Sequence, residues 1–488
     1  MNRTATFLLL LLTLTAVRAQ QQPIFSDFEV SQPAEVPGGM PALQRFMAVN
    51  VRKPFLAQVA NVKGMAIVQG VIEPDGHISE VSVARSLRPD CDREAVRAFA
   101  LFNAWKPAQK DGKPVRQRVT FPIRFAANEP ISYQNGIAIQ YFDNAFRAIA
   151  QPDSAVLRSE TPTDTLGVPT GNLVFFRHKG DKWKKEAEMK LVSKPDPSRK
   201  SNKGPLTLIG HMDEYGRFFG RQYWVDEIGA VYDENIYDLN RSLIEQINRD
   251  KTGLVRHKEQ VGNAQRMIYS WYHNGQIQQM LLQPKHDVLT MQPEPDQMLS
   301  FWDFNGTQTV VEGNGAAVVK TQVQSLADTN RHTTLIEEGA YERGLKTGRW
   351  QGKHIDGSYW YEESYNKGQF ISGRSIEHNE RDTVRYDVPN QQPSFKGGQQ
   401  AFYQFLGQNL RYPADAQRAG AQGRVFVKFV VCTDGTLCDF EVLKGIHPDL
   451  DQEAIRVVKA MKGRWTPGTQ RGRPVKVKYN LPLNFTLE

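Results

Sequence analysis

Read for its apolar and polar positions, the chain carries one pattern twice. Residues 64–81, GMAIVQGVIEPDGHISEV, and residues 423–440, GRVFVKFVVCTDGTLCDF, each open on glycine, alternate apolar with other residues, break at Asp-Gly and resume. Alternation with period two predicts half-buried strands, and the Asp-Gly break predicts a tight hairpin whose central residues take positive φ. Before the second hairpin, Phe402, Phe405, Leu406 and Leu410 recur at helical spacing until Pro413 ends the run. After it, Asp449 is placed to cap a helix with Gln452 three residues on, and Leu450, Ala454, Val457, Val458 and Met461 form the apolar stripe. Trp465-Thr466-Pro467-Gly468 then leads into a last strand from Val475 to Phe485. The order helix, strand, strand, helix, strand predicts a small antiparallel sheet with helices over one face.

The two ends align without a gap when 359 is added to the first numbering. Gly38-Gly39 falls on Gly397-Gly398, Asn50, Arg52 and Pro54 on Asn409, Arg411 and Pro413, and Asp75-Gly76 on Asp434-Gly435. Glu94-Ala95 and Arg97 fall on Glu453-Ala454 and Arg456. One extra residue before Trp465 shifts the offset to 360, after which Trp105, Pro107, Gly112, Pro122 and Phe125 meet Trp465, Pro467, Gly472, Pro482 and Phe485. The chain therefore contains a duplicated module of about ninety residues.

Between the copies the pattern changes. Residues 128–385 hold no long helical stripe but many short strand-like runs rich in aromatics and glycine, such as SWYHNGQIQQMLL (270–282) and EEGAYERGLKTGRWQGKHIDGSYWYEESYNKGQFISGR (337–374). These runs read as short strands, an aromatic from each packing on its neighbour with glycine at the turns. SKPDPSRKSNKGP (193–205) reads as a mobile loop and VPNQQPSF (388–395) as a linker. His332, His354 and His378 lie near acids but at no metal-binding spacing, and read as scattered surface residues. No nucleophile motif, phosphate-binding loop or Cys–His pairing stands out, so the chain is expected to be non-enzymatic and to need no cofactor.

The hairpin register bears on the three cysteines. A two-residue turn at Asp434-Gly435 pairs Val431 with Cys438, Phe429 with Phe440 and Val427 with Val442, and pairs Cys432 with Leu437. It thereby puts Cys432 and Cys438 on opposite faces of the sheet. The expectation is three free thiols, Cys91 and Cys438 in cores and Cys432 more exposed, with no disulfide and no metal site.

Length and composition refine this organisation. With 488 residues, 40% hydrophobic and 23% charged, the chain is ordinary soluble material in several domains. Met1-Asn2-Arg3, the apolar run from Ala5 to Val17 and Val17-Arg18-Ala19 read as a secretory signal cut between Ala19 and Gln20. The run is shorter than the about 20 apolar residues of a membrane span, which disfavours an uncleaved anchor. The expected site of action is the periplasm. Net charge is +8, and Lys459, Lys462, Arg464, Arg471, Arg473, Lys476 and Lys478 cluster near the end. Export argues against nucleic acid as partner; the cluster is a solvated face or a surface for acidic peptide or envelope polymer.

The last module resembles the C-terminal domain of TonB, in the form found in Bacteroidetes envelope proteins. The resemblance rests on Tyr412-Pro413, GRVFVKFVV, DGTL, PDLDQEA, WTPG and LPLNF in that order. The first copy resembles it less, with Lys53-Pro54 in place of YP, Gly70 inside the first strand and Ala108 after Pro107. The middle resembles MORN-like hairpin repeats. The fold implied is α+β, two small two-layer domains flanking an all-β meander. The domains implied are a signal peptide 1–19, a linker 20–33, a degenerate TonB-like domain 34–127, the repeat region 128–385 and a TonB C-terminal domain 386–488. The family grasps an extended segment, the TonB box, of outer-membrane transporters and links it to energy-dependent transport. The resemblance thus implies a peptide site at Tyr412, Pro413, Val475, Lys476, Val477, Lys478, Tyr479, Asn480, Leu481, Leu483 and Phe485, filled by β-augmentation. The transmembrane helix and Pro-rich spacer of a working TonB have no counterpart here. Inner-membrane motor proteins, peptidoglycan, a second copy of the chain and pairing of the two end domains stand as further candidate partners, and a non-energised envelope scaffold or peptidoglycan-binding adaptor is the alternative function.

Overall fold

The computed structural model describes residues 23–201, 204–285, 294–328, 330–378 and 380–487, so the leader expected over residues 1–19 lies outside the described residues. The chain divides into two compact units, residues 1–279 with 304–307 and residues 280–303 with 308–488. One copy of the duplicated module belongs to each.

In the first unit, helix Gly39–Asn50 starts on Gly38, whose φ of 78° is open to glycine, and buries Leu43, Phe46 and Met47. Strands Gly64–Ile72 and Ile78–Arg85 form the hairpin, and helix Pro89–Ala100 buries Cys91, Ala95, Ala98 and Phe99. The sheet runs in the order Ile24–Phe25, Lys113–Phe125, Gly64–Ile72, Ile78–Arg85.

The second unit repeats this plan. Helix Gly398–Asn409 and helix Pro448–Ala460 cover one face of a sheet ordered Leu437–Lys444, Gly423–Val431, Val477–Phe485. Its core joins Phe402 and Phe405 to Leu450, Ala454, Val457 and Val458, and these to Val425, Val427, Phe429, Leu481, Leu483 and Phe485 from the strands. A polar staple is built identically in both copies. The Glu94 carboxylate accepts the Arg52 N–H (2.6 Å) and the Arg97 guanidinium (2.7 Å). Glu453 likewise accepts the Arg411 N–H (2.7 Å) and Arg456 (2.7 Å). Each arginine also donates to the last carbonyl of the first helix, Asn50 or Asn409.

Both stretches read as linkers are structured. Ile24–Phe25 pairs in parallel with Arg116 and Gln117, and Gln32 bridges Gln109. In the second copy Asn390–Gln391 pairs with Gln470 and Thr469, and Ser394–Phe395 with Thr466 and Trp465, with Phe395 in the core. The repeat therefore begins upstream of the glycine pair.

The hairpin turns are wider than two residues. The Cys432 N–H donates to the Thr436 carbonyl and the Gly435 N–H to the Cys432 carbonyl, giving a three-residue loop closed by a left-handed glycine. Val430 then faces Cys438 and Val431 faces Leu437, and a bulge at Asp439 (φ 54°) restores Val427 opposite Val442. Cys432 and Cys438 thus share the face turned away from the helices, where a disulfide joins them across a Cα separation of 6.9 Å. This overturns the expected free thiols at those positions. Cys91 is free and buried.

The middle of the chain is a β-meander in which most strands pair with their neighbours in sequence, while Ile137–Phe142 also pairs with Leu157–Pro162 past the short Ala148–Ile149. In the first unit it carries a recurrent corner. The N–H groups two and four residues beyond an aspartate donate to its Oδ1 at Asp213 and Asp226, and the same turn returns at Asp238 and Asp250. In the second unit, glycines lie in mid-strand beneath rings: a Cβ at Gly339 would enter the Trp350 ring and one at Gly352 the Tyr361 ring. Of the segment 193–205, expected as a loop, residues 193–201 and 204–205 lie in the paired strands Lys182–Ser201 and Gly204–Met212. Its polar residues are held there by the Trp224 indole N–H donating to Asp196 (2.9 Å) and by an Arg199–Asp233 ion pair. His354 is buried rather than on the surface, with Nδ1 2.8 Å from Ser358 Oγ.

Candidate peptide-binding edge

Among the described residues, strand Val477–Phe485 is the outermost strand of the C-terminal sheet, paired on one side only, with Gly423–Val431. The register is uninterrupted from Val431↔Val477 to Gly423↔Phe485. Side chains alternate along it: Leu481, Leu483 and Phe485 are buried, whereas Lys478, Asn480, Pro482 and Asn484 are exposed. Proline has no N–H to give a ladder, so Pro482 fits the phase in which its nitrogen faces the open side. That phase turns the N–H and C=O of Lys478, Asn480 and Asn484, with the Pro482 carbonyl, outward. The backbone of Val477, Tyr479, Leu481, Leu483 and Phe485 is then spent on the neighbouring strand.

The expected site residues separate accordingly. Lys478 and Asn480 lie on the open edge, while Leu481, Leu483 and Phe485 serve the core. Tyr479 packs against Phe429 and Trp465. Val475 belongs to a different strand, Arg473–Val475, paired with Gly468–Gln470, and Lys476 is the exposed joint between the two. Tyr412 sits at the far end of the edge strand, its ring 5.8 Å from that of Phe485 and its hydroxyl donating to the Ala421 carbonyl. Pro413, with φ −65°, caps the short helix Ala414–Arg418. Asn484 and the Pro482 carbonyl were missed by the sequence reading, although the alternation that buries Leu483 and Phe485 already placed them outside. Lys476, Lys478 and Arg424 give this border a positive cast, with Arg424 Nε donating to the Asn484 side chain (2.8 Å).

The corresponding edge in the first copy is partly occupied by the chain itself. Ile24–Phe25 lies against Arg116 and Gln117, and the fully buried Gln117 side chain accepts the Ala34 N–H (2.6 Å) and donates to Asp27 (2.6 Å). The other border of the C-terminal sheet, Leu437–Lys444, carries the Asp439 bulge, which twists it away from regular pairing. Among the described residues no group of three or more His, Cys, Asp or Glu could hold a metal ion, and no helix is long and apolar enough to cross a membrane.

A two-layer α/β module whose border strand is unbulged and paired on one side can accept a further strand along that border. The family model described as Gram-negative bacterial TonB protein C-terminal matches residues 54–127 and 408–487, so both end modules are TonB C-terminal domains. Among solved structures the chain is similar to the NMR solution structure of Helicobacter pylori TonB-CTD (residues 179–285). The identity is 24% over 18% of this chain and 77% of that one, at a TM-score of 0.14. No curated protein matches the chain.

Proposed function

We propose that the C-terminal module binds an extended peptide segment of an outer-membrane transporter in the periplasm by adding it as a further strand along Lys478–Asn484, in support of energy-dependent transport. The observation that carries this reading is the open border of Val477–Phe485, in contrast to the partly filled border of the first copy. Edge strands present unpaired N–H and C=O groups that a foreign strand satisfies. Each such bond nets about 0.5–1.5 kcal/mol, so the few available here offset the cost of association only in part and give affinity near the micromolar range. Lys476 and Lys478 favour a segment with acidic neighbours.

Calorimetry of the mature chain with a transporter's N-terminal peptide tests the proposal. We expect one peptide per chain, and crosslinks from that peptide to residues 478–484. Crosslinks confined to the helices, or two equivalent sites, would overturn it. Retention on isolated sacculi without peptide binding would instead support a peptidoglycan-anchored scaffold.

A further inference from the structure

In the first unit a cleft of about 580 Å³ opens where the ends of several meander strands meet. Its size falls within the range of small-molecule sites. Five of its lining residues are basic: Lys200, Arg249, Lys251, Arg256 and His273. Asp250 is the only acid among the lining residues; its Oδ1 accepts the N–H and hydroxyl of Thr252, and its Oδ2 lies 3.8 Å from Arg256, so the five basic side chains outnumber the one carboxylate that faces them.

Arg249 makes this more than a solvated basic surface. Its residue exposure is 7%, one guanidinium nitrogen is 3.1 Å from Glu234, and Nη1 is sealed from solvent with no hydrogen-bond partner. A buried guanidinium normally satisfies its donors, and leaving one unmade is costly. The surroundings are also short of negative charge. Arg221 shares Glu234 with Arg249, while Arg97 uses Glu94 and leaves its own Nη1 buried and unpartnered. Burial, together with Arg249 and Arg97, pushes the Arg52 guanidinium down to about 10. Arg249, Arg221, Arg97 and Arg52 thus gather around Glu234 and Glu94, with Glu245 also acting on Arg221, and Gly253 on the cleft's turn lies beside Arg97 and Arg52. An arrangement with surplus donors, surplus positive charge and room beside it suits a multiply charged oxyanion.

We propose that this cleft binds the phosphate group of a small phosphorylated solute, with Lys200, Lys251 and Arg256 on the phosphate, the buried Arg249 guanidinium adding positive charge from behind them, and Tyr232 and His273 against the remainder. The His273 ring is already fixed by stacking on Phe304, at 5.1 Å. The site is separate from the peptide edge and does not depend on its function.

The test is calorimetric titration of the mature full-length chain with inorganic phosphate, and separately with acetate, at fixed ionic strength. We expect saturable binding of one phosphate with a Kd of roughly 1 mM and no saturable response to acetate. The double variant Lys200→Glu/Lys251→Glu changes two exposed side chains, so it should keep the parent's melting behaviour while weakening phosphate about tenfold or more. Arg249→Met, which removes the buried charge behind the cleft, should also weaken phosphate binding. A response to phosphate that does not saturate, equal binding of acetate, or a folded double variant that binds phosphate like the parent would overturn the proposal.

Discussion

Glu453 is 8% exposed, yet it is an ion holding three partners at once: the Arg411 backbone N–H, the Arg456 side chain and, through Arg456, the end of the first helix. Burial raises its pKa, but the hydrogen bonds from Arg456 and Arg411 outweigh this and leave the carboxyl below its ordinary value of 4.5. A carboxylate whose folded pKa is depressed adds stability that is present above the unfolded value and disappears as pH falls through the folded one. Glu453→Ala should therefore cost about 2 kcal/mol at neutral pH by orphaning buried donors. In Glu453→Gln the acid-side decline of stability below pH ~4.5 should be shallower. Denaturant unfolding as a function of pH reads both. A second residue-scale comparison shows one geometric need met by two chemistries. Where the C-terminal hairpin has the Cys432–Cys438 disulfide, the first copy has Ser79 donating to Glu73 at the aligned positions.

At the scale of elements, the phase of the edge strand yields a sharp expectation. Lys478→Pro and Asn480→Pro remove only outward N–H groups and should leave the fold within about 1 kcal/mol, while peptide affinity falls roughly tenfold for each hydrogen bond lost. Tyr479→Pro deletes a ladder bond and crowds the core, and should unfold the module. Circular dichroism beside peptide calorimetry separates the cases. The same alternation made this strand readable from the sequence, down to which side chains are buried. The hairpin register was not readable, because Asp-Gly serves both two- and three-residue loops and the compensating bulge at Asp439 has no local signature. The aspartate corners at 213, 226, 238 and 250 were legible as DEYG, DEIG, DLNR and DKTG at near-equal spacing, but they escaped notice behind the glycine and aromatic pattern. The 193–205 segment went wrong for another reason. Its proline and charge content favours a loop locally, and the contacts that order it, Trp224 and Asp233, are distant in sequence. The basic cleft could not be read at all, since its residues come from five separate stretches of chain.

For the molecule as a whole, the duplication has produced unequal copies. The first closes part of its border with its own upstream segment; the second leaves its border open and is fastened to the meander instead. Within the second unit, Arg471 at the tip of the Gly468–Val475 hairpin lies 3.4 Å over the Tyr361 ring and 2.8 Å from Glu363, which is 1% exposed. Arg473 pairs with Glu377 and Glu380 beside it. Arg471→Ala would strand Glu363 without its cation and should destabilise the unit by about 3 kcal/mol or more. Limited proteolysis should then cut near residues 386–396 faster than in the parent; an unchanged cutting rate would count against this fastening.

That hairpin also runs, through Lys476 alone, into the strand whose border stands open. Tension applied by a captive segment along that border would meet the nine register pairs to Gly423–Val431 together, in shear rather than one at a time. The upstream end of the loaded strand leads directly to the Arg471–Glu363 clasp. Pulling would therefore reach the meander through a bonded path that runs by way of the Arg471–Glu363 clasp.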